Sequence, residues 1–331
     1  MFVHIVGTRP NFMKACPLIK KMEEEGMQQK IIHTGQHYNY NMNKVFFDEL
    51  DIPDPDYNLN VTRTSHAEQT ADVMVGCEEI FKNIDIKVVI VYGDVNSTLA
   101  AALTASKLHI PIVHIEAGSR SFDKKMPEEV NRILVDHISD YLFCIDSYAV
   151  QNLMDEGIED KVYLTGNLMI DTLKSLKLTK EYDDFVLLTL HRPSNVDGDK
   201  LFEILDDIEA LHDRVIFPVH PRLKSKLNNR DFKNIEMVQP MGYKDFVSHL
   251  NNCKYAITDS GGIQCEASVL NTPLITLRDT TEHLDTIEHG TNSLCEHSSK
   301  IKRCKPKYSD YSPKIWDGKV AERIVEILKE I

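Results

Sequence analysis

A short glycine-containing segment, Asp259-Ser260-Gly261-Gly262, has the residue types of an anion-binding turn. The apolar run Tyr255 to Thr258 before it predicts a buried strand, and Ile263 to Leu270 after it predicts a helix. At such a turn, unpaired N–H groups and the positive end of the helix dipole face one point, which suits a phosphate. Glu266, further along the helix, could accept hydrogen bonds from a ribose diol. The segment predicts a nucleotide site, and the alternative interpretation is an ordinary tight turn.

A second strand–turn–helix unit, at the N-terminus, carries two cations. Phe2 to Val6 predicts a strand and Phe12 to Glu24 a helix, with the turn Gly7-Thr8-Arg9-Pro10 between them. Open α/β sheets bind ligands at the carboxyl ends of their strands, so we expect Arg9 and Lys14 beside such a crevice. The alternative interpretation is that both are solvated surface cations.

Two carboxylates follow the ends of successive predicted strands. Asp94 comes just after the apolar run Lys87 to Tyr92, and Glu116 follows the strand Ile112 to Ile115. Right-handed crossover in a βαβ unit places both strand ends at the same edge of the sheet. We therefore expect Asp94 and Glu116 to lie in one cleft.

A third carboxylate and a guanidinium share one predicted helix face. Pro127 marks the start of the helix, and Glu128 and Arg132 are four residues apart within it. Together with Asp94 and Glu116, they form a set suited to acid/base chemistry. The alternative interpretation is that Asp94 only caps the next helix and that Glu128 and Arg132 form a surface ion pair.

Two of the 14 histidines, His191 and His220, stand out by position. Each lies where a predicted strand ends and a turn begins, after Phe185 to Leu190 and after Val215 to Pro218. A lone histidine is more often structural than catalytic. These two are candidates because that end of a parallel strand faces the expected crevice.

The alternation of strands and helices predicts an α/β fold with parallel sheets. A chain of 331 residues exceeds the size of a usual single core, so we expect two domains, with the crossover at Gly166-Asn167. The predicted domains are residues 1–166 and 167–315, followed by an amphipathic helix over 316–331. A further helix is expected over Asn43 to Leu50, and a loop over Pro53 to Ser65.

Composition excludes several classes of function. A net charge of −13 argues against a nucleic-acid or anionic-membrane surface, which needs a basic footprint. Seven scattered cysteines predict reduced thiols without a disulfide framework or a structural metal. No apolar run approaches the roughly 20 residues of a membrane span. We expect a cytoplasmic protein without a membrane anchor.

Taken together, the motifs resemble the non-hydrolysing UDP-N-acetylglucosamine 2-epimerase family. The likeness spans nearly the whole chain, and its strength lies in the number and order of the motifs. The matching segments are Gly7 to Pro10, Gly93-Asp94 with Asn96-Ser97-Thr98, His114 to Gly118, Met126 to Arg132, His191-Arg192, Asp259 to Gly262 with Glu266, and Arg278 to Glu282.

The resemblance implies a glycosyltransferase-B-like fold, with two Rossmann-like domains facing across a cleft and the last helix crossing back to the first domain. It also implies a homodimer, a UDP-sugar substrate and no cofactor. The implied reaction is C2 epimerisation between UDP-N-acetylglucosamine and UDP-N-acetylmannosamine, through elimination and re-addition of UDP. The implied catalytic residues are Asp94, Glu116, Glu128, Arg132 and His191, and the implied substrate-binding residues are Arg9, Lys14, His220, Ser260, Gly261, Gly262 and Glu266.

Three positions depart from the family pattern. The chain has Asn11 where the family often has Glu, Ser119 where it often has Leu, and His283 where many members have Arg. Replacing a guanidinium changes both charge and hydrogen-bonding geometry, so the exact UDP-sugar is left open. Phe12 and the segment around Asn131 resemble a branch of the family that acts on UDP-2,3-diacetamido-glucuronic acid, which is the alternative substrate. The same motifs are also compatible with a glycosyltransferase of the same fold and with a catalytically silent UDP-sugar sensor.

Overall fold

A computed structural model describes residues 1–35, 53–219, 221–227, 230–295 and 298–331 of the chain. The chain forms two compact units. Unit 1 comprises Met1–Ser175 and Lys314–Ile331, and unit 2 comprises Leu176–Pro313. The predicted helix over Asn43 to Leu50 lies outside the described residues.

Unit 1 is built on a parallel sheet. Its described strands are β1 (Phe2–Val6), β2 (Gln29–His33), β3 (Tyr57–Asn58), β4 (Val88–Tyr92), β5 (Ile112–Ala117), β6 (Tyr141–Cys144) and β7 (Val162–Leu164). They lie in the order β3-β2-β1-β4-β5-β6-β7, and neighbouring strands pair in parallel. Because the order reverses between β1 and β4, their carboxyl ends flank the position where doubly wound sheets bind ligands.

The central strands of unit 1 are covered on both faces. Every residue of β1 and β4 is buried, and full burial of a Val or Ile side chain stabilises the fold by about 1.5–3 kcal/mol. The covering helices include α1 (Arg9–Glu24), α2 (His66–Phe81), α3 (Asn96–Lys107), α4 (Pro127–Ile138), α5 (Ser147–Asp155) and α6 (Leu168–Ser175).

The helix α3 presents small side chains to its neighbours. It carries buried alanines at positions 100, 101, 102 and 105, and small side chains allow close packing. At the end of β1, a Cβ on Gly7 would lie 2.5 Å from the Oγ atom of Ser97 on α3. A glycine is therefore required at position 7 for the turn to pass the start of α3.

Unit 2 repeats the same strand order. Its described strands are β8 (Val186–Thr189), β9 (Val215–Pro218), β10 (Ile235–Val238), β11 (Tyr255–Thr258), β12 (Leu274–Thr276) and β13 (Asn292–Leu294). They form a parallel sheet in the order β10-β9-β8-β11-β12-β13, which reverses between β8 and β11. Its helices include α7 (Pro193–Val196), α8 (Lys200–Leu211), α9 (Pro221–Leu227), α10 (Tyr243–Asn252), α11 (Gly262–Val269) and α12 (Leu284–Glu288), with a 3₁₀ helix at Ser298–Arg303.

The C-terminal helix, α13 (Val320–Glu330), belongs to unit 1, where it packs on α1 and α6. The carboxylate of Asp171 on α6 accepts hydrogen bonds from the N–H groups of Val320 (3.1 Å) and Ala321 (2.7 Å). These are two of the N–H groups that a helix start leaves without an intrahelical acceptor. The indole of Trp316 is buried just before the helix and donates to the carbonyl of Ile145 at 2.8 Å.

The predicted fold class, α/β with two Rossmann-like domains, is confirmed by the two doubly wound sheets. Three local predictions differ from the structure. The predicted loop over 53–65 contains the edge strand β3, and the predicted turn after β8 contains the one-turn helix α7, which Pro193 starts. The last helix begins at Val320 and not at Trp316, because Gly318 has φ +86°. Among the described residues, no helix is long and apolar enough to cross a membrane.

Candidate active site

In unit 1, the turns after β1 and β4 are joined by the side chain of Asn11. Its Oδ1 atom accepts hydrogen bonds from the N–H groups of Gly7 (3.2 Å) and Thr8 (3.1 Å). Its Nδ2 atom donates to the carbonyl of Tyr92, the last residue of β4, at 3.0 Å. An amide can accept and donate in this way, whereas an ionised carboxylate can only accept. Asn11 therefore replaces the glutamate common in the family with a group that ties the two turns together.

Glu116 lies at the end of β5 and forms an ion pair with Lys14 of α1. The two side chains are only 14% and 10% exposed. Glu116 has φ +73°, an uncommon conformation for a non-glycine residue, and the β5–β6 register shifts between Ile115 and Ala117. Strained backbone of this kind concentrates at functional sites, and this irregularity sets the backbone from which the Glu116 carboxylate projects.

Asp94 follows β4, and its carboxylate forms an ion pair with Arg132 on α4. Asn131 donates to the backbone carbonyl of Asp94 at 2.8 Å. The residue at the N-cap of α3 is Val95, so Asp94 does not cap that helix. Asp94 is thus held from two sides by α4.

Arg132 has a second carboxylate partner, Glu129, whose Oε2 atom lies 2.9 Å from its guanidinium. Glu129 also accepts hydrogen bonds from the N–H groups of Ser121 (2.9 Å) and Phe122 (2.8 Å). Burial raises the pKa of Glu129, but these donors and Arg132 lower it, and the net pKa is below its usual range. Glu129 is therefore an ionised anchor that orients Arg132 towards Asp94.

Glu128 is half-buried on α4 and, within the part of the chain that the structure describes, makes no hydrogen bond or ion pair. The alternative interpretation, an ion pair between Glu128 and Arg132, is not found among the described residues, since Arg132 pairs with Asp94 and with Glu129, three residues away. In unit 1, four charged side chains thus lie at the carboxyl ends of β4 and β5, namely Lys14, Asp94, Glu116 and Arg132. The carboxylate of Glu128 has no partner among the described residues.

In unit 2, Asp259 holds the turn that follows β8. Its carboxylate accepts hydrogen bonds from the N–H groups of His191 (3.1 Å) and Arg192 (3.0 Å) and from the side chain of Asn195 (3.2 Å). The His191 Nδ1 atom lies 2.8 Å from Asp259 Oδ1, while the imidazole remains 49% exposed. Burial raises the pKa of Asp259, but the His191 contacts and N–H donors lower it below its usual range. Asp259 therefore fixes His191 while leaving its ring accessible.

The predicted phosphate cradle lies at the start of α11, where Ser260, Gly261 and Gly262 are partly exposed. The N–H group of Ser260 donates to the Thr258 hydroxyl at 3.0 Å. Among the described residues, no protein acceptor binds the N–H groups of Gly261 and Gly262. Two N–H groups at the positive end of a helix dipole are thus available to an anion.

A glycine is needed at position 261 because of a neighbouring buried ion pair and not because of an unusual backbone angle. A Cβ atom on Gly261 would lie 2.6 Å from Oε1 of Glu282 and 3.5 Å from a guanidinium nitrogen of Arg278. Arg278 and Glu282 are themselves paired at 2.7 Å, and both side chains are less than a tenth exposed. The cradle is therefore bordered by one cation and one anion.

Glu266 lies on α11 and accepts a hydrogen bond from the Tyr243 hydroxyl at 2.7 Å. Burial raises the pKa of Glu266 to about 7 despite the opposing effect of that hydrogen bond. The residue is only 2% exposed. His283, where many family members have arginine, is buried against the same helix, with Nδ1 at 3.5 Å from the sulfur of Cys265.

The two remaining predicted binding residues are Arg9 and His220. Arg9 is the first residue of α1, and His220 lies outside the described residues. The sequence analysis assigned no role to Asn11, Glu129, Asp259, Arg278 or Glu282. Glu129 lies within the matching segment Met126 to Arg132, and the last three lie within the segments Asp259 to Gly262 and Arg278 to Glu282. Position alone could have indicated a role for Asp259, Arg278 and Glu282, because both of their segments follow the carboxyl ends of predicted strands.

The sequence matches the family model described as UDP-N-acetylglucosamine 2-epimerase over residues 20–329. UDP-N-acetylglucosamine 2-epimerase of Methanocaldococcus jannaschii is 41% identical over 356 residues, covering 98% of this chain and 97% of the relative. UDP-2,3-diacetamido-2,3-dideoxy-D-glucuronate 2-epimerase of Pseudomonas aeruginosa is 39% identical, covering 88% of this chain and 86% of the relative. A crystal structure of the M. jannaschii enzyme with UDP-GlcNAc and UDP is similar at a TM-score of 0.89, with 40% identity and coverage of 100% of this chain and 99% of that one.

Proposed function

Since the chain belongs to the UDP-N-acetylglucosamine 2-epimerase family, we propose that it interconverts UDP-N-acetylglucosamine and UDP-N-acetylmannosamine by inverting C2. The family expected from the sequence is thereby confirmed. The observation that carries the proposal is the placement of Asp94 and Glu116, each ion-paired, after the neighbouring strands β4 and β5. The enzyme is an isomerase of the non-hydrolysing type.

The chemistry explains why ionised carboxylates are needed. The C2–H bond lies beside an acetal carbon and is not acidic, so direct proton removal at neutral pH is too slow. Ionisation of the C1–O bond, with the electron pair leaving on UDP, makes C1 cationic and acidifies C2–H. A carboxylate then takes the C2 proton and a glycal forms. Addition of a proton to the opposite face of C2 and of the UDP oxygen to C1 completes the inversion.

Asp94, Glu116 and Glu128 are the carboxylates that we assign to proton transfer. In the resting site, Arg132 forms an ion pair with Asp94 and Lys14 forms one with Glu116, which holds both carboxylates in place. A general base must be ionised, and each acid/base group is worth about 10²- to 10⁴-fold in rate. The uncommitted carboxylate of Glu128 supports a role in exchanging protons with the substrate.

Binding of the nucleotide is assigned to unit 2. The N–H groups of Gly261 and Gly262 support binding of the diphosphate, which carries increasing negative charge as the C1–O bond breaks. The exposed imidazole of His191, fixed by Asp259, supports a contact with the diphosphate or the sugar. Glu266 is assigned to the ribose hydroxyl groups.

A second candidate substrate is UDP-2,3-diacetamido-glucuronic acid. One observation favours it: a P. aeruginosa relative, 39% identical, is a 2-epimerase of this sugar. The residue at position 283 argues against it, because this sugar carries a carboxylate and His283 stands where many family members have a guanidinium. His283 is buried, with its Nε2 atom 3.8 Å from a Glu282 oxygen, so it offers less positive charge than arginine would. On this basis UDP-N-acetylglucosamine remains the first candidate.

Proton NMR of the purified protein with UDP-N-acetylglucosamine in D₂O tests the proposal. The expected result is UDP-N-acetylmannosamine with deuterium at C2 in both epimers, because the abstracted proton exchanges with solvent. Free N-acetylmannosamine with UDP would contradict it and indicate a hydrolysing enzyme. Turnover of UDP-2,3-diacetamido-glucuronic acid alone would establish the second candidate.

We also propose a cytoplasmic homodimer. The seven cysteines form no disulfide among the described residues, which supports a reducing compartment. A groove of about 500 Å³ between α2 and α4, lined in part by Met74 and Val130, supports an apolar self-association surface. Val75 beside it is 68% exposed, and Leu134, one turn after Val130, is 46% exposed. Sedimentation of a monomer at micromolar concentration would contradict the dimer.

A further inference from the structure

Behind Asp94 and Glu116, unit 1 contains a group of buried charged side chains. His114 of β5 is 0% exposed, Asp136 of α4 is 1% exposed, and Arg120 of the loop after β5 is 2% exposed. Removing charges from water costs several kcal/mol per ion, so such groups persist only where they are paired and hydrogen-bonded. Their partners therefore indicate what the group holds in place.

The hydrogen bonds of His114 define where its protons are. Its Nε2 atom lies 2.8 Å from the carbonyl oxygen of Gly93, which can only accept, so Nε2 donates. Its Nδ1 atom lies 2.6 Å from Oδ1 of Asp136. The other oxygen of Asp136 accepts from the Gly118 N–H group at 3.0 Å and pairs with Arg120 at 2.7 Å. His114 and Asp136 therefore link the Gly93 carbonyl to the Gly118 N–H group.

Asp136 is stabilised as a carboxylate. Burial raises the pKa of Asp136, but its contacts with His114 and Arg120 lower it, and the net pKa is below the usual range. Arg120 completes the network through two bonds to Glu156, at 2.7 and 2.8 Å. Each charged side chain of the cluster therefore lies against a partner, which explains how the cluster is tolerated inside unit 1.

The network joins the two segments that carry the assigned carboxylates. Gly93 immediately precedes Asp94 and has φ +63°, and Gly118 lies two residues after Glu116 and has φ +77°. Asp136 binds Gly118 directly and Gly93 through the ring of His114. A single carboxylate on α4 therefore fixes both turns relative to each other.

We propose that His114, hydrogen-bonded to Asp136, is a positioning residue that sets the separation of Asp94 and Glu116 for proton transfer. The inference rests on the proposed epimerase function. It predicts an effect on turnover rather than on UDP binding, because His114 contacts the backbone of the β4 turn in unit 1, whereas the glycine cradle belongs to unit 2. Misplacement of catalytic groups by about 1 Å can cost on the order of 10²-fold in rate.

The test uses His114→Gln with a matched control, His4→Gln. His4 is also 0% exposed, but its ring nitrogens bond the Tyr92 hydroxyl at 2.7 Å and the Gln29 side chain at 2.9 Å, rather than the backbone of either turn. A glutamine at 114 cannot donate to Gly93 and Asp136 together. We expect kcat about 10- to 100-fold below wild type for His114→Gln, with KM and the UDP dissociation constant within about twofold. The control should lose thermal stability and keep kcat.

An equal loss of stability in both variants with wild-type kcat per folded molecule would overturn the proposal and leave His114 a structural residue. A second measurement needs no variant and no turnover. In wild-type protein labelled with ¹⁵N-histidine, NMR should show the Nε2–H proton of His114 protected from solvent exchange by its hydrogen bond to Gly93. Exchange of this proton at the rate of an exposed imidazole would overturn the proposal even if His114→Gln fails to fold. Absence of wild-type epimerisation would instead overturn the proposed function.

Discussion

The ammonium group of Lys14 forms an ion pair with the carboxylate of Glu116, joining α1 to the end of β5 within unit 1. Glu116 reaches this position with φ +73°, so a strained backbone and a buried cation act on the same carboxylate. This arrangement orients the Glu116 carboxylate before substrate arrives.

The first prediction concerns this carboxylate. Glu116→Gln keeps the side-chain shape and removes the charge, so kcat for epimerisation should fall about 10²- to 10⁴-fold. NMR turnover with UDP-N-acetylglucosamine measures the effect. The matched control is Glu25→Gln, another carboxylate of unit 1 paired with lysines, Lys21 and Lys329, but outside the site. Unchanged turnover in Glu116→Gln would remove Glu116 from the mechanism.

The second prediction concerns Asp259, which holds the turn after β8. In Asp259→Asn an NH₂ group replaces one oxygen and faces N–H donors, which leaves buried donors without an acceptor at a cost of about 1–3 kcal/mol. Displacement of His191 should weaken UDP binding, and each 1.4 kcal/mol lost from the binding free energy raises the UDP dissociation constant about tenfold. Calorimetry measures the UDP dissociation constant, with the exposed Asp213→Asn in unit 2 as control. Equal affinities would show that the turn does not depend on Asp259.

The third prediction concerns the cap of the C-terminal helix. Asp171→Ala removes the acceptor of two N–H groups at the start of α13 and should destabilise unit 1 by about 0.5–2 kcal/mol. Trp316, the single tryptophan of the chain, is buried beside this helix, so its fluorescence reports denaturant unfolding of unit 1. Glu326→Ala, on the exposed side of α13, is the control. A midpoint shift no larger than that of the control would contradict the capping role.

The fourth prediction is a pH dependence. Burial lowers the pKa of His4 from 6.5 to about 4, so between these values the unfolded chain binds a proton that the folded chain excludes. Stability contributed at this site is therefore present above pH 6.5 and is lost as the pH falls towards 4, by up to about 3 kcal/mol. The difference in unfolding free energy between wild type and His4→Gln, followed by Trp316 fluorescence, should shrink over this range. A constant difference would mean that His4 does not titrate there.

The fifth prediction concerns self-association. Val130→Lys with Leu134→Lys places two charges beside the groove between α2 and α4, and burying unpaired charges at an interface is unfavourable. The double variant should sediment as a monomer under conditions where wild type is a dimer. Met154→Lys, an exposed apolar position on α5 at 47% exposure, should leave the dimer intact. The same association constant for all three proteins would place the interface elsewhere.

Much of the fold followed from local sequence pattern. Apolar runs such as β4, separated by helical segments, predicted parallel sheets, because strands covered on both faces must be continuously apolar. The same logic located Asp94 and Glu116, since the carboxyl ends of successive parallel strands share one edge. Element ends were less well predicted. The start of α13 at Val320 depends on a single glycine with positive φ, and the strand β3 depends on an edge pairing with β2.

The sequence by itself determined the fold class, the family and which residue types lie at the strand ends, because these depend on periodicity and on motifs that are contiguous in the chain. Only the tertiary structure decided the partners. Arg132 pairs with Glu129 and not with Glu128, and Asp136 reaches His114 and Gly118, because helix rotation and strand register select which side chains meet. Contacts between residues far apart in the chain have no local period, so no sequence pattern could specify them.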